Sequence, residues 1–164
     1  MKKLFALIVL MSACTGAANK AERVEQAAYK FFELYKTRDD WQGFQDLYAE
    51  DMIFEDVIFQ YTFNKEEFIG FYNWPDSLLS KHPDYPEVMV LEDLAITDSS
   101  AVGRGYFTPI YYAGNLYDHQ EYARFTMWLY FNNEGKITKH IDFIEYPPEF
   151  MKIAIDMLIQ RKEQ

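Results

Sequence analysis

Four strand-like stretches, Val88–Thr97, Ala101–Tyr112, His119–Phe131 and Lys136–Ile144, follow one another with only short turns between them. Each is rich in β-branched and aromatic residues, and the turns carry their own signals at Asp98-Ser99-Ser100, Gly114-Asn115 and Asn133-Glu134-Gly135. Connections this short leave no room for a crossover helix, so neighbouring strands must run antiparallel, and the last two form a hairpin. The N-terminal part reads differently. Val24, Ala27, Ala28, Phe31, Phe32 and Leu34-Tyr35 recur at helical spacing, predicting a helix from Ala21 to about Thr37. Asp40 caps a second short helix with Trp41, Phe44, Leu47 and Tyr48 on its buried side, and Met52–Phe59 reads as a strand. Asn64 caps a third helix that Trp74-Pro75 stops, and Pro147-Pro148 opens a final one through Phe150, Ile153, Ala154, Met157 and Leu158. Helices followed by a long meander predict an α+β cone-shaped fold. A curved antiparallel sheet wraps around the N-terminal helices, with a C-terminal helix added. The hollow of such a cone is where apolar ligands bind.

Charge narrows the partners. The 164 residues carry 16 Lys+Arg against 26 Asp+Glu, a formal net charge of −10, which excludes non-specific binding to a phosphate backbone. A hydrophobic fraction of 49% excludes a disordered chain. The first residues form a separate unit: Lys2 and Lys3, an apolar run from Leu4 to Met11, then Ser12, Ala13 and Cys14. That pattern is a secretory signal, too short to span a bilayer as a mature helix. Met11-Ser12-Ala13-Cys14 resembles a bacterial lipobox, which implies that residues 1–13 are removed and Cys14 is acylated. Residues 14–20 then form a tether, and 21–164 form the domain. Ordinary cleavage after Ala18 is the alternative. Cys14 is the only cysteine, so no intramolecular disulfide can form. Losing Lys2 and Lys3 takes the charge from −10 to −12, so acyl chains rather than basic patches would hold the domain in the cell envelope. The expected location is the periplasmic side of a bacterial membrane.

Two strings point to a family. Leu47-Tyr48-Ala49-Glu50-Asp51-Met52-Ile53-Phe54-Glu55-Asp56, and Gly135-Lys136-Ile137-Thr138 followed by His140-Ile141-Asp142-Phe143, resemble the SnoaL-like, or nuclear transport factor 2-like, superfamily over residues 21–146. The resemblance implies a cone that takes a small, largely apolar molecule and a homodimer. It also implies either cofactor-free acid–base chemistry (isomerase, cyclase or dehydratase type) or a non-catalytic adaptor. In ketosteroid isomerase-like members the aspartate ending the first strand is the base, and Asp56 stands at the similar place. The oxyanion donors of that mechanism are missing, because their places fall on Phe31 or Phe32 and on Met127. In the epoxide hydrolase-like and polyketide cyclase-like members an aspartate of the last strand acts as acid or base, and Asp142 corresponds. The Arg-x-Asp companion of epoxide opening is absent at Phe125 and Met127, and Arg124 falls on the opposite strand face.

His140 and Asp142 are two apart on one strand and so share a face, where an imidazole and a carboxylate can exchange a proton. Simple alternation makes Ile137, Ile141 and Phe143 the apolar set and turns the pair outward. The resemblance turns it inward. Asp56 is expected as a second carboxylate near the rim, and Tyr29, Trp74, Tyr106, Met127 and Leu129 as ligand-lining residues. His119 and Glu121 lie roughly ten residues along the hairpin from His140, about 30 Å away, too far for a shared metal. No metal and no cofactor are expected. His82, in the Pro-flanked loop His82–Pro86, reads as a surface residue.

Overall fold

The computed structural model describes residues 2–76, 78–112, 114–118, 123–148 and 151–152, with side chains from residue 19 onward except that of Asp76. The helices are α1 (Lys2–Thr37), α2 (Trp41–Gln45) and α3 (Lys65–Tyr72), with a 3-10 turn at Trp74–Asp76. The strands are β1 (Tyr48–Asp56), β2 (Tyr61–Phe63), β3 (Leu79–Lys81), β4 (Met89–Ile96), β5 (Ser100–Phe107), β6 (Ile110–Tyr112), β7 (Asn115–Tyr117), β8 (Arg124–Phe131) and β9 (Ile137–Ile144). This is the α+β cone predicted from the order of elements. Residues 14–20, read as a tether, have helical backbone continuous with α1. Among the described residues no helix is long and apolar enough to cross a membrane.

Local chemistry explains the element ends. Asp40 accepts the Gly43 N–H at 2.8 Å and starts α2, as expected for an N-cap. The helix closes at Gln45, before Leu47, because the strand takes over: the Ile137 N–H donates to the Leu47 carbonyl at 2.8 Å and Tyr48 pairs with Ile137. Asn64 and Glu67 form a capping box, each side chain accepting the other's backbone N–H, at 3.0 and 2.9 Å.

The main sheet has the order β2-β1-β9-β8-β5-β4. The four predicted C-terminal strands run each antiparallel to the next, β1 returns to lie parallel against β9, and β2 pairs antiparallel with β1 at the edge. Ala101–Tyr112 is not one strand. Thr108-Pro109 interrupts it, with the Thr108 hydroxyl donating to the Glu87 carbonyl at 2.6 Å, and β6 then joins β3 and β7 in a separate three-stranded sheet. Proline cannot continue a ladder, which accounts for the break. The Asn133–Gly135 turn has Gly135 at φ 79°, where a side chain would be strained. His119 and Glu121 lie outside the described residues, as does most of the predicted C-terminal helix, of which the Met151 N–H to Pro147 carbonyl bond at 3.1 Å is the described start.

The cone is filled from its helical side. Val24, Ala28, Phe31, Phe32 and Tyr35 of α1 are buried against Met127, Leu129 and Ile137 of the sheet. Phe32 reaches the sheet only because position 103 is glycine: a Cβ there would lie 2.2 Å from the Phe32 ring. The opposite sheet face carries Ile53, Trp128, Tyr130 and Phe143, each 38–44% exposed.

Candidate functional site

Strand parity, broken once, turns His140 and Asp142 inward. Tyr130 pairs with Lys139, but Phe131 pairs with Ile137, so Thr138 is an extra residue, a bulge that re-aims the strand. Ile137 and His140, three apart, therefore share the inner face, followed by Asp142 and Ile144, while Phe143 turns outward. Alternation without the bulge assigned the pair to solvent; the bulge is the reason that this reading fails.

His140 and Asp142 are both 0% exposed, and Phe31 and Phe54 set ring edges against the imidazole at 5.2 Å. The His140 Nε2 lies 2.7 Å from Asp142 Oδ1. The oxygen sits off the ring N–H direction, so neither atom has an aligned hydrogen-bond partner among the described residues. The other two atoms are satisfied. The Tyr48 hydroxyl is 3.0 Å from His140 Nδ1, and the Tyr72 hydroxyl donates to Asp142 Oδ2 at 2.6 Å. With the Tyr48 hydroxyl donating to Nδ1, the ring proton is assigned to Nε2, which faces the carboxylate out of line. Tyr35 extends the chain, donating to the Tyr72 hydroxyl at 3.5 Å.

Asp56 joins from the next strand. It stands level with Asp142 in the parallel β1–β9 register and is 1% exposed. Its Oδ1 accepts the Phe59 N–H at 2.8 Å and its Oδ2 the Tyr146 hydroxyl at 2.5 Å. The Tyr146 and Phe59 rings stack on each other at 4.0 Å. Burial pushes the Asp56 pKa above its ordinary 3.8, and the charge of Asp142 pushes the same way. The Phe59 N–H and Tyr146 hydroxyl oppose it. The phenols respond to the same field. Burial, then Asp142, raises Tyr48 and Tyr72 well above 10, burial and Asp56 raise Tyr146, and burial raises Tyr35 to about 12 against the pull of Arg38. All four phenols are therefore neutral hydrogen-bond donors at physiological pH.

The structure brings together the three residues proposed for catalysis, and it sorts the proposed ligand-lining set. Met127 and Leu129 are fully buried, opposite Asp142 and His140 in the β8–β9 ladder. Trp74 is 8% exposed and lies 6.0 Å from the Tyr35 ring. Tyr29 does not join them: it is 57% exposed, because Ala28, Phe31 and Phe32 take the inward side of α1. Tyr106 faces away as well, on the outer face with its ladder partner Arg124, and Phe107 is the residue that packs against Tyr35. The hollow expected at the pair is packed with rings. An open groove of about 370 Å³ lies on the other face instead, bordered by Arg104, Arg124, Phe143 and Glu145. The residues missed in sequence are the phenols Tyr35, Tyr48, Tyr72 and Tyr146. A tyrosine on a core-facing stripe needs a polar partner, and that need was the available signal. Among the described residues no group of three or more His, Cys, Asp or Glu side chains could hold a metal ion.

Comparison with solved structures identifies the fold. The chain is similar to a proposed SnoaL-like polyketide cyclase from Shewanella denitrificans, with 17% identity, 82% of this chain and 97% of that one covered, and a TM-score of 0.61. It is also similar to a proposed ketosteroid isomerase from Kribbella flavida, at 17% identity, coverage of 78% and 84%, and a TM-score of 0.54. A third is a protein of ketosteroid isomerase-like fold from Catenulispora acidiphila, solved in complex with trimethylamine, at 13% identity, coverage of 71% and 83%, and a TM-score of 0.54. No protein-family model matches the sequence, and no curated protein sequence matches it. The chain has the nuclear transport factor 2-like cone fold, shared by SnoaL-like and ketosteroid isomerase-like proteins.

Proposed function

We propose that the chain binds a small, largely apolar molecule inside the cone and that the His140–Asp142 pair exchanges a proton with it. One observation carries this: Nε2 and Oδ1 are 2.7 Å apart, fully buried, and lack aligned partners. A buried polar atom left without a hydrogen bond costs about 1–3 kcal/mol. A ligand atom within hydrogen-bond reach of both, alongside rather than between them, would recover that cost. Asp142, backed by the Tyr72 hydroxyl, is the base or acid, His140 its partner, and Asp56 the second carboxylate. The reaction class is isomerisation, cyclisation or dehydration by proton transfer, without a cofactor. The enclosing rings must yield to admit the molecule, so it is small. A trimethylamine complex in a protein of this fold supports that size.

The exposed outer sheet face, with Ile53, Trp128, Tyr130 and Phe143, favours a second element of the reading, a homodimer through that face. If the interior has no ligand, this surface leaves a non-catalytic adaptor as the function. We further propose that Cys14 carries the lipid that holds the domain in the cell envelope.

Native mass spectrometry of the protein isolated from its own cells tests the interior reading. The expected result is a retained small molecule that Asp142→Asn and His140→Ala both lose while circular dichroism shows them folded. Equal occupancy in all three proteins would overturn it.

A further inference from the structure

Beyond the His140–Asp142 pair, two more buried donor atoms lack hydrogen-bond partners among the described residues, and their side chains are neighbours. Trp74 is 8% exposed, and its indole Nε1 has no hydrogen-bond acceptor among the described residues. The same holds for Nε of Arg38. The Arg38 guanidinium lies 5.2 Å over the Trp74 ring and 5.3 Å over the Tyr35 ring, and no ion pair among the described residues involves it. Among the described acidic side chains nearby, Asp39 pairs with Lys81 at 2.9 Å, Glu87 with Lys36 at 3.1 Å, and Asp40 caps α2. An indole N–H only donates, and a guanidinium only donates and is always charged. The guanidinium also holds the Tyr35 hydroxyl, so its Nε and the Trp74 N–H are the donor positions left, among the described residues, for an oxygen bearing negative charge.

The place is connected to the interior. Tyr35 lies under the guanidinium, donates to Tyr72, and Tyr72 donates to Asp142. A molecule anchored at Arg38 and Trp74 would lie against Trp74, Tyr35 and Phe107, rings that continue into the cone. The backbone holds the anchor where it is. Arg38 ends α1 at φ 54°, its N–H donating to the Leu34 carbonyl at 2.8 Å, a helix-terminating conformation more usual for glycine.

We propose that Arg38 and Trp74 form an anion site that binds the carboxylate of an otherwise apolar ligand. This narrows the substrate class of the interior site and rests on that reading. The guanidinium offers the charge and the indole N–H the direction. Tyr35 joins the carboxylate end to the Tyr72–Asp142–His140 chain.

The test is a nuclear magnetic resonance titration of the full chain, 15N-labelled at tryptophan, with benzoate and with benzyl alcohol, the same ring without the charge. Benzoate should bind roughly tenfold or more tightly than the alcohol, the difference a charged hydrogen bond supplies. The Trp74 indole N–H should move downfield with benzoate alone. Arg38→Met, which keeps an apolar stem, should abolish the preference. Trp74→Phe, which keeps a ring and loses the N–H, should weaken benzoate and spare the alcohol. Equal binding of both probes that is lost in Asp142→Asn overturns the anion site and leaves the interior reading standing. Benzoate binding that needs Arg38 and Trp74 but ignores Asp142→Asn supports the anion site and removes its link to the interior. Benzoate that fails to bind at millimolar concentration overturns the anion site.

Discussion

Removing the Tyr146 hydroxyl should destabilise the protein more at neutral pH than in acid. Tyr146→Phe deletes one oxygen and keeps the ring that stacks on Phe59 at 4.0 Å, so the packing is conserved and the hydrogen bond to Asp56 Oδ2 is isolated. Once the carboxyl is ionised, above its raised folded pKa, that bond is charge-assisted and worth about 1.5–3 kcal/mol. For a chain of this length a loss of about 2 kcal/mol lowers Tm by roughly 4–8 °C. Below pH 3.8, the ordinary value for Asp56, the carboxyl is protonated in both folded and unfolded states. The bond is then neutral and worth only about 0.5–1.5 kcal/mol. The sign follows from linkage. The folded pKa of Asp56 is raised, so its contribution is fully present below 3.8 and declines as pH rises through the folded value. Losing the Tyr146 donor raises the folded pKa further and deepens that decline. Thermal unfolding of wild type and variant at pH 3.5 and pH 7 reads the difference, since every shared titration cancels in the comparison. A penalty equal at both pH values, or larger in acid, would refute the assignment of Asp56 as an ionisable buried carboxylate held by Tyr146.

Other substitutions test separate parts of the account. Gly103→Ala places a Cβ 2.2 Å from the Phe32 ring and should cost about 1–3 kcal/mol, read as a lowered denaturant midpoint. Tyr72→Phe strips Asp142 Oδ2 of its donor and should cost about 1.5–3 kcal/mol at neutral pH, with no change in helix content by circular dichroism. Trp128→Glu puts a charge on the outer sheet face and should yield monomers by light scattering if that face joins two copies; an unchanged mass refutes the dimer. Cys14→Ser should release the protein from membranes, and a wild type already in the soluble fraction refutes the lipid anchor.

The architecture was legible because its signals are local. Alternation, turn residues and the Asp40 and Asn64 caps each act over a few neighbours, and the meander follows from connections too short for anything else. Failures arose where distant partners decide. The parallel seating of β1 on β9 ends α2 before Leu47, and no residue near 46 announces it. The Thr138 bulge inverts the facing of the last strand, so counting alternate residues from Ile137 hid the inward turn of His140 and Asp142. Tyr29 and Tyr106 lie one step from inward positions, and a single register step moves a side chain to the other face. The phenols that complete the site come from α1, β1, α3 and the segment after β9. Only the folded chain puts Tyr35, Tyr48, Tyr72 and Tyr146 around one pair of carboxylates.

The central claim is that His140 and Asp142 meet a ligand inside the cone, and the imidazole nitrogens of His140 report on it directly. In a 15N-labelled protein the account predicts that the bound molecule shifts Nε2, the nitrogen facing Asp142, and leaves Nδ1 on the Tyr48 hydroxyl nearly where it was. A molecule retained by the protein that moves neither nitrogen would contradict it.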